Sequence, residues 1–477
     1  MRRHLPAVAT IIGAPLLVWL LYRSAYLNYD AAYSLLWARD IVHGWTPDYN
    51  GFIAPTPHPL QTAVSMLALP FGALSGDLII ALIMLSFGGT LWVIYRLGAE
   101  IFTPAAGVVA AIIMATRPAM AKNVLTAYQD IPFMLFILWA LLLEVRQSRR
   151  GAPVLVLLGI AGLLRPEAWM LAGLYFLYLA PRLDWSGRVR MALLVAAAPV
   201  LWALSDLAIT GDPLHSLHGT ADLASQLNRP RSPLDSPFRT AQFLGFTLRE
   251  PLMIGVPIGF TFAWIYARRK AALPLIVAVT MIVIFMASTI AGLPLIARYV
   301  LTPAAILAIF YGAGVFGWRM LPEGPARQRW KWIGVASLLL SIVFIPWHVR
   351  LINETDRKLN NYDTIQGDLR SVAVAPKFLV YSRACGRLST TDHRPVPALR
   401  YWIGGPPGSV QSFADPANPR AQIVLYPRDL SVARRFYAQK LPEIQPRPAL
   451  NYTPVFESTY WRLFASSTCR AKVGVVR

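Results

Sequence analysis

Apolar runs close to bilayer-crossing length recur along the first 348 residues, joined by short polar connectors. A helix needs about 20 such residues to cross the hydrocarbon core. The pattern predicts spans near 5–22, 66–95, 103–120, 125–144, 151–164, 168–181, 191–209, 243–267, 272–291, 298–318 and 331–348. The first run has a basic start and an apolar core, as a signal peptide does. No small-residue cleavage site ends it, so it reads as a retained first span.

After residue 348 the pattern changes. Residues 349–477 are polar and proline-rich, without a span-length apolar run. "FLVYS" and "QIVLYP" read as buried strands and "SVARRFYAQKL" as a helix. The expected architecture is therefore a polytopic α-helical membrane domain of about eleven spans, residues 1–348. A small soluble α/β domain follows, residues 349–477.

Composition agrees with a membrane protein. The chain is 56% hydrophobic and 14% charged, against about 25% charged in ordinary soluble domains. Its net charge of +21 would suggest nucleic acid in a soluble protein, but here it follows the membrane. With the N-terminus inside, the cytoplasmic connectors hold 16 Lys and Arg against 4 acids, the positive-inside signature. Basic segments on both sides of residues 151–181 require that stretch to cross twice or re-enter, with "LLRPEAW" at its outer tip. Eleven spans then put the C-terminal domain outside the cytoplasm; a bacterial inner membrane is the expected location. Cys385 and Cys469 would meet oxidising conditions there, leaving a disulfide or two buried thiols as the alternatives.

This topology collects ionisable residues on the outer side. Asp30, Asp40, Asp48 and His58 fall in the first external loop, and Arg117, Lys122 and Asp130 in the second external turn. Arg165 and Glu167 share the hairpin tip, with His215 and His218 in a long loop and Arg298 and Tyr299 before a late span. A carboxylate can serve there as a general base. Arginine suits phosphate, through paired charge-assisted hydrogen bonds. Each residue also has a plainer reading. Asp30 and Asp130 can cap helices, Asp40 can pair with Arg39, Arg165 can pair with Glu167, and Arg298 can snorkel. His215 and His218 have metal-ligand spacing, but a lone H-x-x-H in a loop is a weak signal. No metal is expected, and a divalent cation stays a minor alternative.

"YDAAYSLLWARDIVHGWTPDY" after a first span resembles the start of the GT-C glycosyltransferases, whose first external loop opens with an acidic motif. "PTPHPL", "AYQDIPFMLF" and "ARYVLTPAAIL" resemble later segments of the same family, in the same order. The branch most alike holds protein O-mannosyltransferases and aminoarabinose–lipid A transferases. The resemblance implies an inverting transfer of a sugar from a polyprenyl-phosphate donor to a hydroxyl on a lipid, glycan or protein acceptor. It implies Asp30 as general base and Asp130 as a second active-site acid. Arg298, Arg165, Arg117 and Lys122 are implied for the donor phosphate, and Tyr33, His58, Glu167, His218 and Tyr299 as substrate contacts. Ala31 stands where the protein mannosyltransferases carry a second acid, which weakens the case for a paired acidic motif. The competing functions are a polar-lipid transporter or flippase, and an envelope glycan ligase or polymerase. Membrane lipids are expected partners; nucleic acid is not.

Overall fold

The structure, a computed structural model, describes residues 5–415, 421–437 and 451–476. It is mostly helical and divides into two compact units. One comprises Met1–Tyr22, His58–Gln61 and Asp77–Thr355; the other comprises Arg23–Pro57, Thr62–Gly76 and Asp356–Arg477. The second unit thus takes in the first loop as well as the C-terminal segment.

The first unit is a helical, membrane-integral body. Among the described residues five helices are long and apolar enough to cross a bilayer, and up to eight if each bent pair counts as one span. The expected number of eleven is not what length and composition return. The difference lies in short helices: Asp130–Arg146, Ala152–Gly162 and Glu167–Leu179 have 17, 11 and 13 residues. At 1.5 Å per residue the shortest reaches only about 16 Å. The expected hairpin over 151–181 is nevertheless there, turning at residues 163–166.

Three expected spans are sharply bent. Pro104–Thr116 turns by 64° into Pro118–Leu125, Ser236–Leu248 by 103° into Glu250–Tyr266, and Pro325–Val343 by 45° into Ile345–Val374. Each second half carries a proline in its first two positions: Pro118, Pro251 and Pro346. Proline has no N–H to give the preceding turn and its ring clashes with the carbonyl four residues back, so the helix restarts there. The last pair also corrects the expected start of the polar tail. Residue 349 lies inside a helix that continues to Val374.

At the centre of this unit runs Leu301–Phe316, buried on all sides. Glu250–Tyr266 packs on it closely because Gly259 has no Cβ to meet the Phe310 carbonyl. Small residues let membrane helices approach this way.

Among the described residues the second unit holds a five-stranded sheet of order β2-β1-β3-β5-β4. β1 (Leu388–Thr390) is parallel to β2 (Val410–Ser412) and β3 (Ile423–Pro427). β5 (Trp461–Ser466) runs antiparallel to β3 and to β4 (Tyr452–Glu457). β3 is the strand read in "QIVLYP", and it is buried throughout. "FLVYS" is not a strand. It lies in the helix Pro376–Cys385, opened by proline and ended by Gly386 at φ 77°. Phe378 and Cys385, seven residues apart, share the buried face. The helix read in "SVARRFYAQKL" is present over Leu430–Tyr437; its expected end at residues 438–441 lies outside the described residues. Cys385 and Cys469 form a disulfide that ties the Pro376–Cys385 helix to Ser467–Val476.

Candidate active site

Two acids in the membrane unit stand at helix starts. Asp130 opens Asp130–Arg146 and Glu167 opens Glu167–Leu179, where the positive end of the helix dipole favours a carboxylate. Two arginines stand in the turns that precede helices: Arg165 before Glu167–Leu179, and Arg298 in the short Ala297–Val300 turn before Leu301–Phe316. The fold gathers all four. Arg165 donates from Nη1 to Asp130 Oδ1, and to Glu167 with both Nη2 and Nε, the latter at 3.2 Å. Arg298 Nε lies 3.2 Å from Asp130 Oδ2.

Aromatic faces complete the cluster. The Arg165 guanidinium lies 3.6 Å from the centre of the Tyr299 ring, and that of Arg298 lies 4.4 Å from Tyr128. The two arginines differ in access. Arg165 is 6% exposed and enclosed by partners, whereas the Arg298 side chain is 19% exposed. Arg165 and Glu167 are therefore mutual partners, and Arg165 braces Asp130. Asp130 is 2% exposed and engaged by two cations. Arg298 is the cation best placed to meet an anion from outside the cluster.

Next along the chain from Asp130, Gln129 Nε2 lies 2.6 Å from His58 Nε2. The His58 ring stands edge-on to Trp202, which stands edge-on to Trp169. His58 is thus tied into the same neighbourhood through Gln129. Arg117 is not drawn into the cluster. It lies at the 64° bend and donates to the carbonyls of Ile113 and Leu248, at 3.2 and 3.0 Å. It satisfies backbone groups that the broken helices leave unpaired. Lys122 is exposed on the short Pro118–Leu125 helix. His218 pairs with Asp212 at 2.8 Å. Among the described residues no three His, Cys, Asp or Glu side chains gather into a group able to hold a metal.

In the second unit, the first loop forms the helix Tyr29–Val42. Its N-cap is Asn28, whose side chain accepts from Ala31 N at 3.0 Å, so capping is not the work of Asp30. Asp30 sits in the first turn and is half-buried. Tyr33, expected at the substrate, is buried against Tyr29 and Trp37 with ring centres 5.0 Å away on either side. The other two aspartates of the loop are committed. Asp40 is fully buried and accepts from Arg400 Nη2; Asp48 accepts from Arg400 Nη1 at 2.6 Å and from Trp37 Nε1 at 3.0 Å. Arg39 lies 3.5 Å from Asp40, as the simpler reading of that pair anticipates. Arg400 went unnoticed in the sequence. Nothing in "PALRYW" marks its arginine as a fully buried one.

Residues 60–207 match the family model described as dolichyl-phosphate-mannose-protein mannosyltransferase. That stretch holds Arg117, Lys122, Asp130, Arg165 and Glu167. The fold is similar to ArnT from Cupriavidus metallidurans, solved bound to undecaprenyl phosphate. The identity is 14%, the TM-score 0.60, and the match covers 97% of this chain and 98% of that one. It is also similar to the oligosaccharyltransferase AglB from Archaeoglobus fulgidus, solved with an inhibitory peptide and a dolichol-phosphate. There the identity is 12% and the TM-score 0.52, over 91% of this chain and 71% of that one. No curated relative matches the chain. The chain is an integral membrane protein with the fold shared by ArnT and AglB.

Proposed function

We propose that this protein transfers a sugar from a polyprenyl-phosphate donor to a hydroxyl acceptor at the outer face of the membrane, with inversion at the anomeric carbon. The acceptor oxygen attacks that carbon while its proton passes to the Asp30 carboxylate. The bond from the anomeric carbon to the phosphate oxygen breaks, and its electron pair leaves on the phosphate. Such a leaving group needs positive charge rather than a proton, and fixed cations aimed at developing charge are often the largest catalytic contribution.

The observation that carries the reading is the state of Arg298. It is fixed by Asp130 and the Tyr128 ring, yet its side chain is partly exposed, as a phosphate ligand must be. The mannosyltransferase-type match and the likeness to proteins solved with undecaprenyl phosphate and dolichol-phosphate support the donor class. The acceptor is a lipid, glycan or protein hydroxyl.

The test is transfer from a labelled library of polyprenyl-phosphate sugars to envelope extract, by purified protein in lipid, beside Asp30→Asn. Transfer that collapses in a variant still folded and binding donor supports both class and base. Transfer that survives keeps the class and removes Asp30. A protein that flips the donor without cleaving it is a transporter, and the reading fails.

A further inference from the structure

The second unit contains a polar network that the proposed chemistry does not use. Along the helix Tyr29–Val42, the segment 390–405 of the C-terminal region makes contact at both ends. Near the start, the His393 ring stands edge-on to Tyr29 with centres 5.2 Å apart. Near the end, the fork of Arg400 is divided between Asp40 and Asp48. In the opposite direction, Arg39 Nη1 donates to the carbonyls of Arg400 and Tyr401, at 3.1 and 3.0 Å, and Nη2 to that of Gly405 at 2.5 Å. Asp48 also holds Trp37. Asp40 and Arg400 are both wholly buried.

Burying charge in this way is a poor route to stability. The desolvation penalty of a buried ion pair often exceeds what the pair returns, and apolar side chains of similar volume commonly do as well. What such a pair does well is fix one geometry. Here it fixes the roll and axial register of a helix whose first turn carries Asp30. Ten residues separate Asp30 from Asp40, about 15 Å along the axis. A tilt of about 4° around the Arg400 end therefore shifts Asp30 by about 1 Å. Misplacing a catalytic group by that much can cost about 100-fold in rate.

We infer that Arg400 is a positioning residue for catalysis: through Asp40 and Asp48, the C-terminal domain sets the aim of the helix that presents Asp30. The inference rests on the proposed role of Asp30. It accounts for a feature that the transfer chemistry alone leaves idle, a buried forked arginine on a helix of seven residues (Val396–Trp402). It also predicts asymmetry between substrates, because Arg400 lies in a different unit from the Arg298 cluster.

The experiment measures kcat and the donor KM for wild type, Arg400→Met, Arg400→Lys, Asp48→Asn and Asp30→Asn, each normalised to folded protein by size-exclusion in detergent. Arg400→Met is expected to lower kcat about 10- to 100-fold with donor KM within about 2-fold of wild type. Arg400→Lys is expected to fail to rescue, since one ammonium cannot reach two carboxylates as the fork does. If Arg400→Met does not fold, Asp48→Asn serves instead. It removes one arm from a carboxylate that is 27% exposed, and is expected to lower kcat several-fold at unchanged KM. Wild-type kcat per folded molecule in Arg400→Met or Asp48→Asn, or full rescue by lysine, overturns the inference. Loss of transfer in Asp30→Asn beside normal Arg400 variants overturns this inference alone. Full transfer by Asp30→Asn overturns the base and the inference together.

Discussion

Arg298 Nε approaches Asp130 Oδ2 at 3.2 Å while the other oxygen of the same carboxylate holds Arg165. One acid thus fixes two cations of different standing. Arg165 is enclosed by Asp130, Glu167 and the Tyr299 face; Arg298 has one edge on Asp130 and part of its side chain exposed. The two arginines are expected to fail in different ways when replaced.

Arg298→Ala is expected to fold and to lose transfer. Removing one donor aimed at developing charge typically costs about 10²- to 10³-fold in kcat. Arg298→Lys keeps the charge and loses the planar fork, so an intermediate value is expected. Steady-state kinetics on the donor identified by the library assay read the result. A rate within 3-fold of wild type in Arg298→Ala would remove it from the phosphate site.

Arg165→Met is expected to fail by unfolding. It strands Asp130 and Glu167 near each other without their shared cation, and breaking a buried pair costs about 3–5 kcal/mol. Adding Glu167→Gln removes one stranded charge and is expected to return part of the loss. Thermal unfolding in detergent, single against double variant, reports it. A single variant as stable as wild type means that Arg165 is not a brace.

How much of this was legible in the sequence depends on range. The apolar runs are local and their length is set by the bilayer, so most helices fall near their expected places. The bends at Arg117, Arg249 and Phe344 were also local, signalled by Pro118, Pro251 and Pro346, but a hydropathy reading averages over single residues. "FLVYS" reads as a strand because so short an apolar run fits strand and helix alike; Pro376 and Gly386 as flanks are the deciding signal. Asp130, Arg165, Glu167, Arg298 and Tyr299 were legible as candidates from separate motifs, but their division of labour was not. It depends on which oxygen meets which nitrogen. The pairing of Asp40 and Asp48 with Arg400 spans more than 350 positions, and no local pattern announces it.

The disulfide offers a test confined to the second unit. Cys385 and Cys469 are 84 residues apart and close a loop that contains every strand of the sheet. Chain-entropy reasoning puts the stabilisation of so long a loop at roughly 4–5 kcal/mol, with native disulfides commonly measured at about 2–5 kcal/mol. Cys385→Ser/Cys469→Ser is expected to become sensitive to proteolysis within residues 385–469. Reduction of wild type should reproduce that sensitivity, and reduction of the double variant should add nothing. Equal resistance of oxidised wild type and the double variant would show that the sheet does not depend on the bond.

The sharpest break in the membrane unit can be tested through backbone strain. Arg249 joins two helices bent by 103° and has φ 68°, ψ 171°, a region used almost solely by glycine. Pro251 prevents the helix from running straight through, so the break persists whichever residue stands at 249. The arginine's own contact here is its guanidinium 5.7 Å from the Phe246 ring, worth about 0.5–2 kcal/mol. Comparing Arg249→Gly with Arg249→Ala cancels the loss of that side chain and leaves the backbone as the difference. Glycine is expected to be the more stable of the two by about 1–2 kcal/mol, since non-glycine residues held in such regions cost about 1–3 kcal/mol. Thermal unfolding of the two variants side by side decides it, and equal midpoints would mean that the chain at Arg249 is unstrained.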